Sequence, residues 1–135
     1  MLNARLGKEV VVRVRKNPNT IANVIKLFSD KGLDLLAAST WVENGEAVMR
    51  FITDDNLRAV DALRERELTP TEQEVIEVDV PHKPGMLRRI TEILAAEGVE
   101  LDHLYATAGE RERMCTVVLS TRSNEHALMA LRGAR

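Results

Sequence analysis

The chain has little of what marks a redox, membrane or nucleic-acid protein. A single cysteine, Cys115, among 135 residues excludes an intrachain disulfide and a cysteine-based zinc cluster. It sits in the strand-like run "MCTVVLS", where a buried packing thiol in a reducing cytoplasm is expected. Two Phe, one Tyr and one Trp leave no paired strand aromatics on which bases would stack, so a nucleic-acid partner is not expected. With 19 basic and 21 acidic residues and a net charge of −2, no overall field draws the chain to nucleic acid or to anionic lipid. No run approaches the ~20 apolar residues of a membrane span, and the opening "MLNARLGKEV" has no signal-peptide core. Also missing are a phosphate-binding glycine loop, metal-ligand spacing among the histidines, and a nucleophile with a base and an orienting group. The expectation is a cytoplasmic protein that is no enzyme and has no catalytic residue, metal or cofactor.

What is present is a repeat. The 44% hydrophobic and 30% charged composition suits a domain that buries a core. Self-comparison at an offset of 66 places Pro18 on Pro84, Ile21 on Leu87, Val24 on Ile90, Phe28 on Leu94, Gly32 on Gly98 and Leu35 on Leu101. Near the end of each half the offset becomes 68, taking Leu63 to Leu131, so the second copy holds two extra residues, placed most simply in "GERER".

Each copy reads alike. "EVVVRVR" and "VIEVDV" are strands with one buried face, Val10, Val12 and Val14 in the first and Ile76, Val78 and Val80 in the second. Thr20 to Lys31 is a helix burying Ile21, Val24, Ile25 and Phe28, and Gly32 is its left-handed stop. Next come a strand, the hairpin turn Asn44-Gly45, a second strand, and a helix from Asp54 to about Glu67 that is capped by Asp54 or Asp55 and buries Leu57, Val60, Ala62 and Leu63. The order βαββαβ is the split βαβ, ferredoxin-like pattern. The expected fold is therefore α+β: two such units in tandem, antiparallel sheets with helices on one face, residues 1–74 and 75–135. The fourth strand of the first unit should run with no linker into the second unit. A fourth strand for the second unit would begin beyond Arg135, so that unit is expected to lack its last strand. Its unpaired edge predicts a homodimer.

The stretch "VDVPHKPGML" then acquires a role. A helix start carries backbone N–H groups with no intrahelical partner and the positive end of the dipole. Gly85 lets a carboxylate approach the amides of Gly85, Met86 and Leu87, while His82 and Lys83 add donors or charge. Asp34 and Glu100, at equivalent places before the second strand of each unit, are candidates to receive an ammonium. Amides on one side and a carboxylate on the other suit a zwitterionic amino acid bound between units.

These residues carry a family likeness. "VDVPHKPGMLRRITEILAAEGVELDHLYA" resembles the ACT domain, a regulatory module of amino-acid metabolism, and the whole chain resembles small stand-alone tandem ACT proteins. The resemblance implies allosteric regulation and a free amino acid as ligand, and the lack of a long apolar run leaves no membrane partner expected. It also implies that the residue three before the glycine and the residue at the second strand contact ligand: His82 and Glu100 in the second unit, Lys16 and Asp34 in the first. "KNPNT" departs from the family by placing Asn19 where glycine is usual. The favoured pocket joins His82 to Leu87 with Asp34, Leu35 and Leu36. Its mate joins Asn17, Asn19 and the rest of that turn with Glu100 and Leu101. The alternative is a ligand-free regulatory subunit of a metabolic enzyme, like the small subunit of acetolactate synthase, docking through an open apolar sheet face at Leu36, Val42, Val48 and Ile52.

Overall fold

The computed structural model describes residues 2–108 and 113–134. The extra residues expected in "GERER" fall mostly at 109–112, outside the described residues. The elements run β1 (Asn3–Arg15), α1 (Pro18–Asp30), β2 (Leu35–Glu43), β3 (Glu46–Thr53), α2 (Asn56–Glu65), β4 (Thr71–Pro81), α3 (Met86–Ala96), β5 (Leu101–Ala108), β6 (Met114–Thr121) and α4 (Asn124–Gly133). Among the described residues no helix is long and apolar enough to cross a membrane.

The chain divides into two compact units, Lys8–Gln73 and a second built from Met1–Gly7 with Glu74–Arg135. The strand order in the first is β2-β3-β1-β4, and in the second β1-β4-β6-β5. Both β1 and β4 thus give one segment to each unit, and β4 is the unbroken strand that the sequence predicts. In the N-terminal unit β3 pairs antiparallel with both β1 and β2, and in the C-terminal unit β6 does so with β4 and β5. Asn44 and Gly45 close the first hairpin with φ of 51° and 79°, the two positive values that a tight primed turn requires.

Strand alternation and helix periodicity build one core per unit. Val10, Val12 and Val14 pack with Phe28, Met49, Phe51 and Leu63, and Phe28 meets Phe51 edge to face at 4.8 Å. Ile76, Val78 and Val80 pack with Ile90, Leu94, Leu119 and Leu131. Three residues read as lying on the apolar helix stripes stay outside: Ile25 is 39% exposed, Leu87 45% and Leu57 68%, and Ala59 takes the buried place expected of Leu57. A helix stripe is wider than the line along which it touches the sheet, so its flanks remain in water.

The missing strand of the second unit is the main correction. The place is filled by the start of the chain. Leu2 and Ala4 are buried in the C-terminal core, Arg132 Nε donates to the Ala4 carbonyl at 3.0 Å, and Arg5 pairs with Asp79 at 2.6 Å and Glu77 at 3.4 Å. Gly7 has no side chain to collide with Glu77 beside it. The edge of β4 is therefore not open, and the argument for a dimer through an unpaired edge falls with it.

One device recurs in both units without having been read from the repeat. The Asn56 Oδ1 accepts from the Thr53 N–H and hydroxyl while its Nδ2 donates to the Lys8 carbonyl; Asn124 does the same for Thr121 and Glu74. Each amide pins the start of a helix to the residue at which β1 or β4 crosses into its unit. The helix ends also repeat. The chain leaves α1 and α3 through Gly32 and Gly98 with positive φ, each followed by paired backbone bonds back to the last turn. Helix α2 ends the same way at Glu67, with φ of 62°. A side chain in that region is strained, so Glu67→Gly should raise the unfolding free energy by about 0.5–1 kcal/mol in urea titration. No gain would mean that the Glu67 backbone is relaxed there.

Candidate ligand site at the start of α3

Between β4 and α3 the chain makes a turn held by its own backbone. The His82 N–H donates to the Arg113 carbonyl at 2.7 Å, and the Lys83 N–H to the Pro81 carbonyl at 3.0 Å. Gly85 then sits in the left-handed region at φ 91°, and its carbonyl accepts the first helical bond, from Arg89. Because Gly85 is the N-cap, no capping side chain closes this helix start among the described residues. The amides of Met86 and Leu87 point out of the first turn, where intrahelical acceptors do not exist. His82, Lys83, Gly85 and Leu87 are exposed, and Met86 is half-buried against the core. Arg89, one turn in, adds positive charge and carries a buried Nη2 with no hydrogen-bond partner among the described residues.

The equivalent turn of the N-terminal unit is closed. Asn17 is the N-cap of α1, and its side chain accepts from the Asn19 N–H at 2.8 Å. Pro18 follows as the first helical residue and has no N–H to offer. Asn19 lies within the helix and has no positive φ, so it is not a stand-in for a turn glycine. The feature that shuts this turn is Asn17, a signal readable as an Asn-Pro helix start.

The two acidic candidates also differ. The Glu100 carboxylate lies 3.5 Å from Arg122 Nε, and the Glu100 carbonyl accepts from the Arg122 N–H. In the first unit the offset of 68 puts Asp54 where Arg122 stands, and Asp54 receives the Asp34 N–H through its side chain at 3.0 Å. The Asp34 carboxylate has no cation beside it among the described residues. Both acids precede a β-bulge, at Leu35/Ala37 and Leu101/His103, which re-aims the strand start. Leu35 is half-buried on the core, while Leu36 is 56% and Leu101 42% exposed.

Neither unit brings its own turn and acid together. An 11-residue helix separates them in the C-terminal unit, about 16 Å of rise, and the helix of the N-terminal unit is longer. Of the four half-sites, the α3 turn and Asp34 are uncommitted, whereas the α1 turn and Glu100 already hold partners of their own.

An antiparallel sheet, an uncapped glycine turn, an amphipathic helix and a glycine stop define a small α+β module with an open helix start. Residues 75–135 match the ACT domain model. Among solved structures, a protein from Bacteroides thetaiotaomicron is similar over 96% of this chain and 88% of its own, with TM-score 0.87 at 20% identity. The ligand-free regulatory subunit of aspartate kinase from Thermus thermophilus has TM-score 0.66 at 16% identity, over 97% and 95% of the two chains. The regulatory subunit of aspartate kinase from Thermus flavus has TM-score 0.64 at 17% identity, over 97% and 94%. At these identities the likeness is one of fold. No curated protein matches the chain by sequence.

Proposed function

We propose that the chain is a non-catalytic regulatory protein of two ACT-type units that binds a free amino acid, with the ligand carboxylate on the α3 turn and its ammonium on Asp34 of a neighbouring unit, within the chain or in a second copy. The observation that carries this reading is the asymmetry between half-sites: among the described residues the α3 turn has no capping side chain and Asp34 no cation, while Asn17 and Arg122 occupy the alternatives. The ACT match and the fold shared with aspartate kinase regulatory subunits support it. Ligand that bridges units favours whichever arrangement forms the bridge, and this differential affinity is sufficient for control of a partner enzyme or of self-association.

The test is a thermal-shift screen against the twenty amino acids, followed by calorimetry. One or two amino acids should raise the melting temperature, with one molecule bound per chain. Asp34→Asn should weaken binding about 10- to 100-fold, the worth of one charge-assisted hydrogen bond, while Glu100→Gln changes little. Two sites per chain, or equal losses in both variants, would refute the asymmetry.

A second reading is favoured by one strand. Leu36, Ala38, Thr40 and Val42 form an exposed row along β2, an edge strand of its unit. A ligand-free regulatory subunit would dock a protein there. Val48 and Ile52, which the sequence also offered to that surface, are buried at 0% and 6%. No thermal shift with any amino acid would move the search to this row.

A further inference from the structure

The N-terminal unit holds a cavity that the amino-acid reading does not use. It has a volume of about 260 Å³ and lies between α1 and the chain leaving α2, lined by Thr20, Asn23, Val24, Leu27, Arg66 and Leu68. Val24 and Leu27 are buried at 3% and 5%, and Leu68 packs half-buried on the core, so the floor is apolar. The rim is cationic. Arg66 makes no ion pair among the described residues, and the Asn23 amide and Thr20 hydroxyl are likewise uncommitted.

Carboxylates are missing from this lining. Asp30 lines an adjoining recess with Asn23, Lys26, Leu27 and Arg66 and is held by Lys26 at 2.8 Å. A ligand carboxylate would meet a guanidinium that can grip both its oxygens, whereas a ligand ammonium would meet no counter-charge. The volume is below that of drug-sized sites and limits the ligand to a few heavy atoms. The device that places the rim is the strained end of α2: Arg66 and Leu68 flank Glu67, which keeps its left-handed backbone at a position where α1 and α3 use glycine.

The cavity is not a product of the repeat. At the offset of 66, Met86 replaces Thr20 and Arg89 replaces Asn23, and at 68, Ala134 replaces Arg66. The C-terminal unit has its own cation at the equivalent helix face, Arg89, but the combination of an arginine leaving the second helix with the Asn23 amide and the Thr20 hydroxyl belongs to the N-terminal unit.

From these features we infer that the cavity between α1 and the end of α2 is a second small-molecule site, taking a short aliphatic monocarboxylate that has no ammonium group, such as a 2-oxo acid whose keto oxygen accepts from Asn23 or Thr20. It is separate from the α3 turn and stands or falls independently of the amino-acid reading.

The test is a two-dimensional NMR titration of the full chain with 3-methyl-2-oxobutanoate, and in parallel with isobutyrate and valine, following backbone amides and the arginine Nε–H signals. The oxo acid should give saturable shifts at Thr20, Asn23, Leu27 and Arg66 at millimolar concentration or below. Valine should bind at least about tenfold more weakly, and Arg66→Gln should weaken the oxo acid by a similar factor. Arg66 is exposed and its side chain makes no ion pair or hydrogen bond among the described residues, so this variant should keep the wild-type circular dichroism spectrum. No saturable shift to about 10 mM, valine binding as well as the oxo acid, or unchanged affinity in Arg66→Gln would each overturn the proposal. Oxo-acid shifts confined to His82–Leu87 would overturn it while leaving the α3 turn as a carboxylate site.

Discussion

Deleting residues 2–7 should unfold the C-terminal unit and leave the N-terminal unit protected. Those residues are the strand beside β4 on the side away from β6. Removing them takes Leu2 and Ala4 out of the core, Arg5 from Asp79, and the Ala4 carbonyl from Arg132. Burial of one leucine contributes about 2–3 kcal/mol and each backbone bond about 1 kcal/mol, while the half-exposed Arg5 pair adds little after solvent screening. The sum is several kcal/mol, against a total of roughly 5–15 kcal/mol for an ordinary domain. Hydrogen exchange is the measurement: amides at Val78, Val80, Val117 and Leu119 should lose protection, and those at Val12, Met49 and Phe51 should keep it. Adding a synthetic peptide of residues 2–8 should restore the first set. Retained protection in the deletion variant would show that the strand is ornamental.

The Arg5 to Asp79 pair gives this strand a defined response to acid. Burial alone would raise the Asp79 carboxyl, but hydrogen bonds from Arg5 and Thr116 outweigh it and hold Asp79 below the usual carboxylate range. A group lowered on folding adds stability above its unfolded value and loses it as the pH falls through the folded one. The tie is thus intact at neutral pH and weakens only under acid conditions.

The sequence showed what local rules control. Alternation marked the inward residues of β1 and β4, threefold and fourfold spacing marked the core faces of α1 and α3, and Gly32, Gly98 and Asn44-Gly45 marked their turns with the expected backbone. It did not show that Leu2–Gly7 is a strand of the distant half, because the segment has no counterpart in the repeat and its partner lies some seventy residues away. At the site, the open α3 turn was legible from Pro84-Gly85. In the α1 turn the departure from the glycine pattern is at Asn19, but the residue that closes the turn is Asn17, one residue before the proline. That Glu100 is engaged and Asp34 is not depends on residues 122 and 54, about twenty positions away and invisible to any local pattern.

Arg50→Leu should cost the N-terminal unit about 3–5 kcal/mol, measured by urea unfolding. The Arg50 side chain is 14% exposed, and it donates to Glu9 at 2.9 Å and to Gln73 at 3.0 Å while lying over the Trp41 ring at 5.1 Å. Glu9 is fully buried. It alternates with Val10 and Val12, so it stands on the face of β1 opposite the valines that pack on the helices. Deleting the arginine leaves a carboxylate in the interior without that cation, and the desolvation cost of the ion then outweighs the added hydrophobic area. The double variant Glu9→Gln/Arg50→Leu removes the charge as well and should recover a substantial part of the loss. Gln73 belongs to the segment of β4 in this unit, so the same guanidinium joins β3, β1 and β4 across one sheet. If Arg50→Leu cost less than about 1 kcal/mol, the remaining groups around Glu9 would be holding its charge unaided.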